Sequence, residues 1–166
     1  FFDEHYPDAL DYFDGVRPIA VLRTFSKVYS LAGLRIGYGA LPAPFARAVD
    51  KIREPFNVNT PAQIAAYYSL LDEPELQRRR LENQEQKTYL YSCFDRLGVA
   101  YYRSHTNFVY FMTERPVEVF EALLEEGVIV RDFGTAPALR VGIGTPEDTA
   151  ITIAAFESVV ARLGSI

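Results

Sequence analysis

Short apolar runs alternate along the chain with longer segments in which apolar residues recur every three or four positions. Two apolar runs, residues 19–25 and residues 34–40, are bounded by turn-forming residues and predict strands buried on both faces. The segment between them, residues 26–33, is too polar for a core strand and too short for a crossover helix. It predicts a loop at strand ends, where α/β proteins place much of their chemistry.

Helix signals dominate the next part of the chain. Prolines predict one helix over residues 42–53 and a second that starts at Pro61. Residues 73–97 are dense in Glu, Gln and Arg, with apolar residues spaced at three and four, and predict a long amphipathic helix with a solvated face. We expect a boundary between two domains near residue 75.

The remainder of the chain predicts an α+β lobe in which strands and helices alternate. Strands are predicted over residues 99–102, 107–111, 128–131 and 139–143, and helices over residues 117–126 and 146–163. Thr145 is the predicted N-cap of the last helix. The fold class is therefore predicted to be α/β, with one domain in residues 1–75 and another in residues 76–166.

Composition excludes several classes of function. Of the 166 residues, 49% are hydrophobic, and the formal net charge is −5, with Lys and Arg scattered rather than gathered in a basic stripe. A small-molecule partner is therefore expected, and a nucleic acid is not. Cys93 is the one cysteine, and no run approaches the roughly 20 apolar residues of a membrane helix. We predict a cytoplasmic protein with no membrane partner.

Three lysines occur in the chain, and one has a distinctive setting. Lys51 and Lys87 lie among charged residues on amphipathic helices and are predicted to be solvated. Lys27 directly follows a predicted buried strand, so we expect it in a partly desolvated site. Desolvation favours the neutral amine that Schiff-base chemistry requires, which makes Lys27 the candidate catalytic residue. A Ser-Lys pair by itself is also a frequent accident of sequence.

Hydroxyl and guanidinium groups flank Lys27. Thr24 and Ser26 lie on either side of Phe25, and Arg35 follows the lysine by eight residues. Such groups could converge on one phosphate, because a guanidinium and hydroxyls are good donors to phosphate oxygens. Taken alone, Arg35 could equally be a surface arginine at a strand end.

Residues 24–38 resemble the coenzyme-lysine motif of the class I/II pyridoxal-phosphate-dependent aminotransferases, in the form found in histidinol-phosphate aminotransferases. The resemblance implies that Lys27 holds pyridoxal 5'-phosphate as a Schiff base and shuttles a proton between the substrate α-carbon and the coenzyme. It also implies that Arg35 and the hydroxyls of Thr24 and Ser26 bind the coenzyme phosphate. Which of the two hydroxyls lies closer stays open.

The first residues allow two interpretations. Asp3, Glu4 and His5 could hold a metal, but successive strand residues point to opposite faces, so three adjacent ligands are awkward and no metal site is predicted. Residues 3–6 resemble the family's Asp-Glu-Ala-Tyr signature, with His5 in place of alanine. This implies that Asp3 pairs with the pyridine nitrogen, where a carboxylate keeps the ring protonated, and that Tyr6 donates to the phenolate oxygen.

Arg140 lies in a segment where apolar residues face one side while the arginine and two glycines face the other. A guanidinium can bind a carboxylate through two parallel hydrogen bonds, although a surface arginine is an equally good interpretation of the pattern. Residues 139–147 resemble the family's C-terminal motif, which implies that Arg140 binds the substrate carboxylate. Arg131 also matches a family pattern, with a substrate-binding or a structural role.

Two further segments, residues 55–59 and residues 106–109, resemble family segments that line or buttress the site. Asn57 is therefore a candidate substrate-binding residue. Asn57 and Asn107 are also typical hydrogen-bonding residues of turns and loops, and that interpretation is favoured.

The resemblance spans essentially the whole chain and implies a fold type I aminotransferase. Residues 1–75 would form the C-terminal part of the large coenzyme-binding domain, and residues 76–166 the small α+β C-terminal domain. The implied reaction transfers the amino group between L-histidinol phosphate and 2-oxoglutarate, in a homodimer when the protein is full length. Because residue 1 is not Met and the family's Gly-rich phosphate loop is not visible, we expect a fragment.

Three alternatives stay open at this point. Aromatic amino-acid aminotransferases and threonine-phosphate decarboxylases share the implied architecture and coenzyme but catalyse other reactions. A truncated, catalytically silent chain is the alternative of a different class.

Overall fold

The structure, a computed structural model, describes residues 6–166. The described residues form two compact units, residues 6–79 and residues 80–166. The predicted coenzyme residue Asp3 and the alternative metal ligands Glu4 and His5 lie outside the described residues.

The first unit contains a two-stranded antiparallel sheet and the helices that follow it. Strand β1 (Val21–Thr24) pairs with β2 (Gly37–Ala40), with Val21 opposite Ala40 and Thr24 opposite Gly37. Helices α1 (Ala43–Ile52) and α2 (Thr60–Leu71) come next, and α3 (Glu73–Leu97) begins in this unit and continues into the second. A short 3₁₀ turn at Ala9–Tyr12 precedes the sheet.

The prediction that both strands are buried on both faces is wrong for this chain. Val21 is 3% exposed, but its neighbour Leu22 is 73% exposed and Tyr38 on β2 is 53% exposed. Both strands are also shorter than the apolar runs that predicted them. A strand is buried on both faces only where a layer covers each face. Among residues 6–166, no such layer covers the face of the hairpin that carries Leu22.

Proline and asparagine set the helix starts of the first unit. Asn59 is the N-cap of α2, since its side-chain oxygen accepts a hydrogen bond from the amide of Ala62 at 2.9 Å. Pro61 occupies the first turn, where its missing N–H costs no hydrogen bond. Helix α1 buries none of its residues, and Phe56 beyond it is 99% exposed.

The second unit is built on a four-stranded antiparallel sheet with the strand order β3-β4-β6-β5. Its strands and helices are β3 (Tyr101–Tyr102), β4 (Phe108–Met112), α4 (Pro116–Glu125), β5 (Arg131–Asp132), β6 (Ala138–Gly142) and α5 (Pro146–Leu163). The strand predicted over residues 128–131 is misplaced. Val128 and Val130 are buried in the core, but pairing with β6 begins at Arg131.

An aromatic cluster fills the core of the second unit. Phe94, Phe111 and Phe156 are fully buried, with the ring centroid of Phe156 at 4.9 Å from Phe94 and at 5.2 Å from Phe111. Both contacts are edge-on, the geometry that aromatic quadrupoles favour. Burial of three large rings fixes α3, β4 and α5 around one centre.

A capping box starts α5, as the prediction of Thr145 as N-cap requires. The Thr145 hydroxyl accepts from the amide of Asp148 at 3.2 Å, and the Asp148 carboxylate accepts from the amide of Thr145 at 3.0 Å. Gly144 must remain small, because a Cβ there would lie 2.5 Å from the Cβ of Asp148. The hydroxyl and amide of Thr145 hold the pKa of Asp148 below its ordinary value.

Thr145→Ala is expected to lower the free energy of unfolding by about 1 kcal/mol, because the first turn of α5 loses one of its acceptors. The same change should raise the pKa of Asp148 toward that of a free carboxyl. A depressed carboxyl pKa contributes stability above the unfolded value, and the contribution is lost as pH falls through the folded value. Urea unfolding and NMR titration of the aspartate measure the two effects.

Thr152→Ala is the matched control, since Thr152 lies inside the same helix and its hydroxyl donates to the Asp148 carbonyl. An equal loss of stability in both variants would contradict the role of the capping box.

Across the part of the chain that the structure describes, no helix is both long enough and apolar enough to cross a membrane.

Candidate active site

Lys27 lies on the loop that joins β1 to β2. The loop returns on itself, because the Phe25 amide donates to the Ile36 carbonyl at 3.2 Å and the Leu31 amide donates to the Phe25 carbonyl at 2.9 Å. Phe25 is buried and anchors the loop. Lys27 and Arg35 therefore lie at the same end of the hairpin, as the sequence predicts for a site at strand ends.

The predicted desolvation of Lys27 is not found among the described residues. Its side chain is exposed, although Phe25 before it is buried and Val28 after it is half-buried. The backbone around the lysine is nevertheless ordered by hydrogen bonds, since the Ser30 amide donates to the Lys27 carbonyl at 2.8 Å. The described residues hold the lysine in a defined turn and leave its side chain exposed.

The candidate phosphate-binding residues Thr24, Ser26 and Arg35 differ in exposure and in the hydrogen bonds that they make. Thr24 shapes the turn, because its hydroxyl oxygen accepts from the amide of Ser26 at 3.0 Å. Ser26 is half-buried. Arg35 is exposed with a left-handed φ of 56°, and its guanidinium donates to the Ala32 carbonyl at 2.5 Å. Non-glycine residues with such angles concentrate at functional sites.

Gly37 is required where the loop rejoins the sheet. A Cβ at this position would lie 2.7 Å from the carbonyl oxygen of Arg23 on the neighbouring strand. Any larger residue would push β2 away from β1 and displace Arg35, two positions earlier.

Two residues that the sequence analysis did not single out hold the loop in place. The side-chain amide of Asn59 donates to the Leu34 carbonyl at 3.3 Å, in addition to capping α2. Arg79 on α3 donates to the carbonyl of Val28 and to the hydroxyl of Ser30. Neither contact has a signal in the sequence, because about 25 or 50 residues separate the partners.

Arg140 in the second unit lies on β6 within cation–π distance of two aromatic rings. Its guanidinium carbon is 4.8 Å from the ring centroid of Phe108 and 5.8 Å from that of Phe133. The predicted alternation is confirmed, since Leu139 and Val141 are buried and Arg140 is half-buried. Contact with the rings restricts the conformations of the arginine side chain. The edge of the planar guanidinium stays available for hydrogen bonds.

Arg131 is the direct cross-strand neighbour of Arg140 in the β5–β6 pairing. Residues directly opposite in an antiparallel pair share a face of the sheet, and like charges there repel each other. An anion on this face would relieve the repulsion. Arg131 itself is exposed, while Arg140 is not.

Lys87 contradicts the prediction of a solvated lysine. It is 8% exposed, and its ammonium donates to the Thr106 carbonyl at 3.2 Å, as does the side-chain amide of the buried Asn83. The helix pattern predicted the polar face of α3 but not the polar loop that packs on it. The prediction holds for Lys51, which is exposed on α1.

The remaining candidates are near the surface. Asn57 is exposed in the turn between α1 and α2, and Tyr6 is 41% exposed. Among residues 6–166, no three His, Cys, Asp or Glu side chains are grouped as a metal site requires.

Comparison with known proteins places these residues in a family. The sequence model of aminotransferase class I and II matches residues 2–156. The chain belongs to this family. It is 45% identical over 163 residues to the histidinol-phosphate aminotransferase of Moorella thermoacetica, covering 95% of this chain and 42% of that protein. The chain thus spans about two fifths of the length of the curated relatives it matches.

Solved structures of class I and II aminotransferases have the same fold. The histidinol-phosphate aminotransferase from Sinorhizobium meliloti, in complex with pyridoxal-5'-phosphate, matches with a TM-score of 0.81 and 28% identity over 90% of this chain and 43% of that chain. A putative histidinol-phosphate aminotransferase from Erwinia carotovora atroseptica matches with a TM-score of 0.87 and 22% identity over 99% of this chain and 48% of that chain. The predicted membership in the aminotransferase fold is confirmed.

Proposed function

We propose that the protein carrying this chain is a pyridoxal-phosphate-dependent transaminase that exchanges the amino group between L-histidinol phosphate and 2-oxoglutarate. The observation that carries the proposal is the loop between β1 and β2, which gathers an amine, two hydroxyls and a guanidinium at one end of a hairpin in a class I and II aminotransferase. The similarity to histidinol-phosphate aminotransferases favours the substrate.

The chemistry of this donor set fits pyridoxal 5'-phosphate. An aldehyde needs a primary amine, which Lys27 supplies, and a phosphate needs a guanidinium and hydroxyl donors, which Arg35, Ser26 and Thr24 supply. When bound, the coenzyme supplies an electron-accepting ring that stabilises negative charge on the substrate α-carbon.

Lys27 is assigned the role of catalytic base and coenzyme anchor. Its Nζ removes the proton from the α-carbon of the substrate and returns it, which requires the neutral amine. Since Lys27 is exposed among residues 6–166, we infer that groups outside this segment desolvate it. In this proposal the hydrogen-bonded turn at Ser30 orients Lys27, and the groups outside residues 6–166 lower the polarity around its amine.

The phosphate contacts are assigned to Arg35, Ser26 and Thr24. Both hydroxyls are retained as candidates, because the Thr24 oxygen that accepts the Ser26 amide can still donate its own proton to a phosphate. Arg35 can exchange its bond to the neutral Ala32 carbonyl for a phosphate, because an anion attracts the guanidinium charge and can accept two parallel hydrogen bonds from it. Asp3 and Tyr6 keep their roles at the ring nitrogen and the phenolate oxygen as predictions from the sequence.

Substrate binding is assigned to Arg140, supported by Arg131. Two stacked rings orient the Arg140 fork, and two adjacent guanidiniums on one face attract a carboxylate or a phosphate. Asn57 is retained as a weaker substrate-binding candidate.

The larger organisation is proposed to follow the family. Residues 1–75 would belong to the large coenzyme-binding domain and residues 76–166 to the small C-terminal domain. The complete protein is proposed to be a cytoplasmic homodimer that acts on amino-acid and 2-oxo-acid substrates.

Absorbance spectroscopy tests the proposed function. We expect the complete protein to develop a visible band with pyridoxal 5'-phosphate, and the band to fade when glutamate is added and to return with 2-oxoglutarate. L-Histidinol phosphate should cause fading at lower concentration than phenylalanine, whereas a decarboxylase would release carbon dioxide from threonine phosphate. No band in the complete protein would overturn the proposal and favour the catalytically silent alternative.

A further inference from the structure

Arg79 makes two hydrogen bonds that connect α3 to the loop carrying Lys27 and a third bond within α3. One guanidinium nitrogen, Nη1, donates to the Val28 carbonyl at 2.9 Å and to the Ser30 hydroxyl at 2.8 Å. Its Nε donates to the Glu75 carboxylate at 2.7 Å, one helical turn earlier. The side chain is 31% exposed, so its hydrogen bonds are partly shielded from water. Arg79 is therefore held by its own helix while it holds the loop.

Ser30 transmits this contact to Lys27. Its amide donates to the Lys27 carbonyl at 2.8 Å, while its hydroxyl contacts Arg79. Ser30 also has a left-handed φ of 57°, a strained conformation for a residue other than glycine. A strained residue persists only where its surroundings hold it, and Arg79 is the side chain that binds its hydroxyl.

The loop is tethered at two points within the first unit. Arg79 binds the side next to Lys27, and Asn59 binds the Leu34 carbonyl next to Arg35. The amine and the guanidinium of the proposed coenzyme site are thus each adjacent to a tethered position.

The Glu75 carboxylate keeps the Arg79 tether in place over a wide pH range. Hydrogen bonds from Arg78 and then Arg79 lower the pKa of Glu75 to about 2. Its contribution is therefore present above the ordinary carboxyl range and is lost as pH falls toward about 2. Near neutral pH the carboxylate is ionised and holds the Arg79 guanidinium.

We propose that Arg79 is a positioning residue that fixes the turn carrying Lys27 and thereby sets how readily the lysine gains and loses its proton once coenzyme is bound. This inference rests on the proposed function of Lys27. It assigns a role to a residue far from the lysine motif in sequence.

Arg79→Met tests the role, with Arg78→Met as the matched control that removes the same charge from the same carboxylate. In the complete protein, Arg79→Met should speed amide exchange in residues 26–31 about tenfold, because a charge-assisted tether is lost. The pH midpoint of the visible band of the coenzyme-loaded protein should shift by about half a unit or more. Arg78→Met should change neither.

Three results overturn the inference: a wild-type midpoint in Arg79→Met, unchanged exchange in residues 26–31, or equal effects in Arg78→Met. If Arg79→Met does not fold, Ser30→Ala is the deciding variant. It removes the bond between Arg79 and the Ser30 hydroxyl and should shift the pH midpoint of the visible band in the same direction. Absence of the band in the wild-type protein contradicts the proposed function instead, which separates that failure from a failure of the Arg79 role.

Discussion

Lys27→Ala is expected to abolish covalent coenzyme attachment and to lower kcat/KM for transamination by about four orders of magnitude. The variant loses both the nucleophile for the coenzyme aldehyde and the base that moves the α-proton. Steady-state kinetics of the complete protein with L-histidinol phosphate and 2-oxoglutarate measures the rate. Borohydride reduction followed by peptide mass spectrometry locates the attached coenzyme.

Lys51→Ala is the control for this prediction. Lys51 is exposed, as Lys27 is, but it lies on α1 and outside the hairpin loop. It should retain the wild-type rate and the coenzyme label. A label on Lys51 or Lys87 in the wild-type protein, or a Lys27→Ala variant with more than a small residual rate, would contradict the assignment.

Arg140→Met is expected to lower kcat/KM about 100-fold while leaving the visible coenzyme band intact. The substitution keeps an unbranched chain between Phe108 and Phe133 but removes the fork. Two charge-assisted hydrogen bonds to a carboxylate account for a loss of this size. Most of the change should be in KM, if the carboxylate is bound equally in the ground state and the transition state.

Two further arginine variants test whether the loss of kcat/KM is specific to Arg140. Arg162→Met removes an arginine that pairs with Glu125 and should leave kcat/KM unchanged. Arg131→Met tests whether the cross-strand neighbour shares the carboxylate, and a smaller loss than in Arg140→Met is expected because Arg131 is exposed. Wild-type kinetics in Arg140→Met would sink the assignment of the substrate-carboxylate residue.

The helices were the most predictable part of this fold, because their signals are local. The predicted bounds of the long helix coincide with α3 (Glu73–Leu97), and those of the last helix coincide with α5 (Pro146–Leu163). Thr145 marked the start of α5 through capping chemistry that acts within four residues. Apolar spacing and caps need no knowledge of the rest of the chain.

Strand burial and strand position were less predictable, because they depend on neighbours. An apolar run such as residues 19–25 indicates a strand that can be buried, but Leu22 is exposed because no layer among the described residues covers its face. At residues 128–131, the apolar character reflects burial of Val128 and Val130 in the core of the second unit rather than strand pairing.

The residues that position the candidate site were missed for a related reason. Arg79 lies in a run of arginines on a helix, a pattern typical of a solvated face, and only the fold brings it to Ser30. Lys87 has the same kind of setting, and its burial follows from the packing of the Thr106 loop on α3. The motif around Lys27 indicated the chemistry but not its support.

Burial of Lys87 also reduces the number of lysine amines that a reactive aldehyde can reach. The sequence contains three lysines, but Lys87 is 8% exposed and its ammonium is engaged by a backbone carbonyl. Within the described residues, two accessible lysine amines therefore compete for the aldehyde, one exposed on helix α1 and one in a turn held by hydrogen bonds. Steric access thus excludes one amine before differences in reactivity select between the other two.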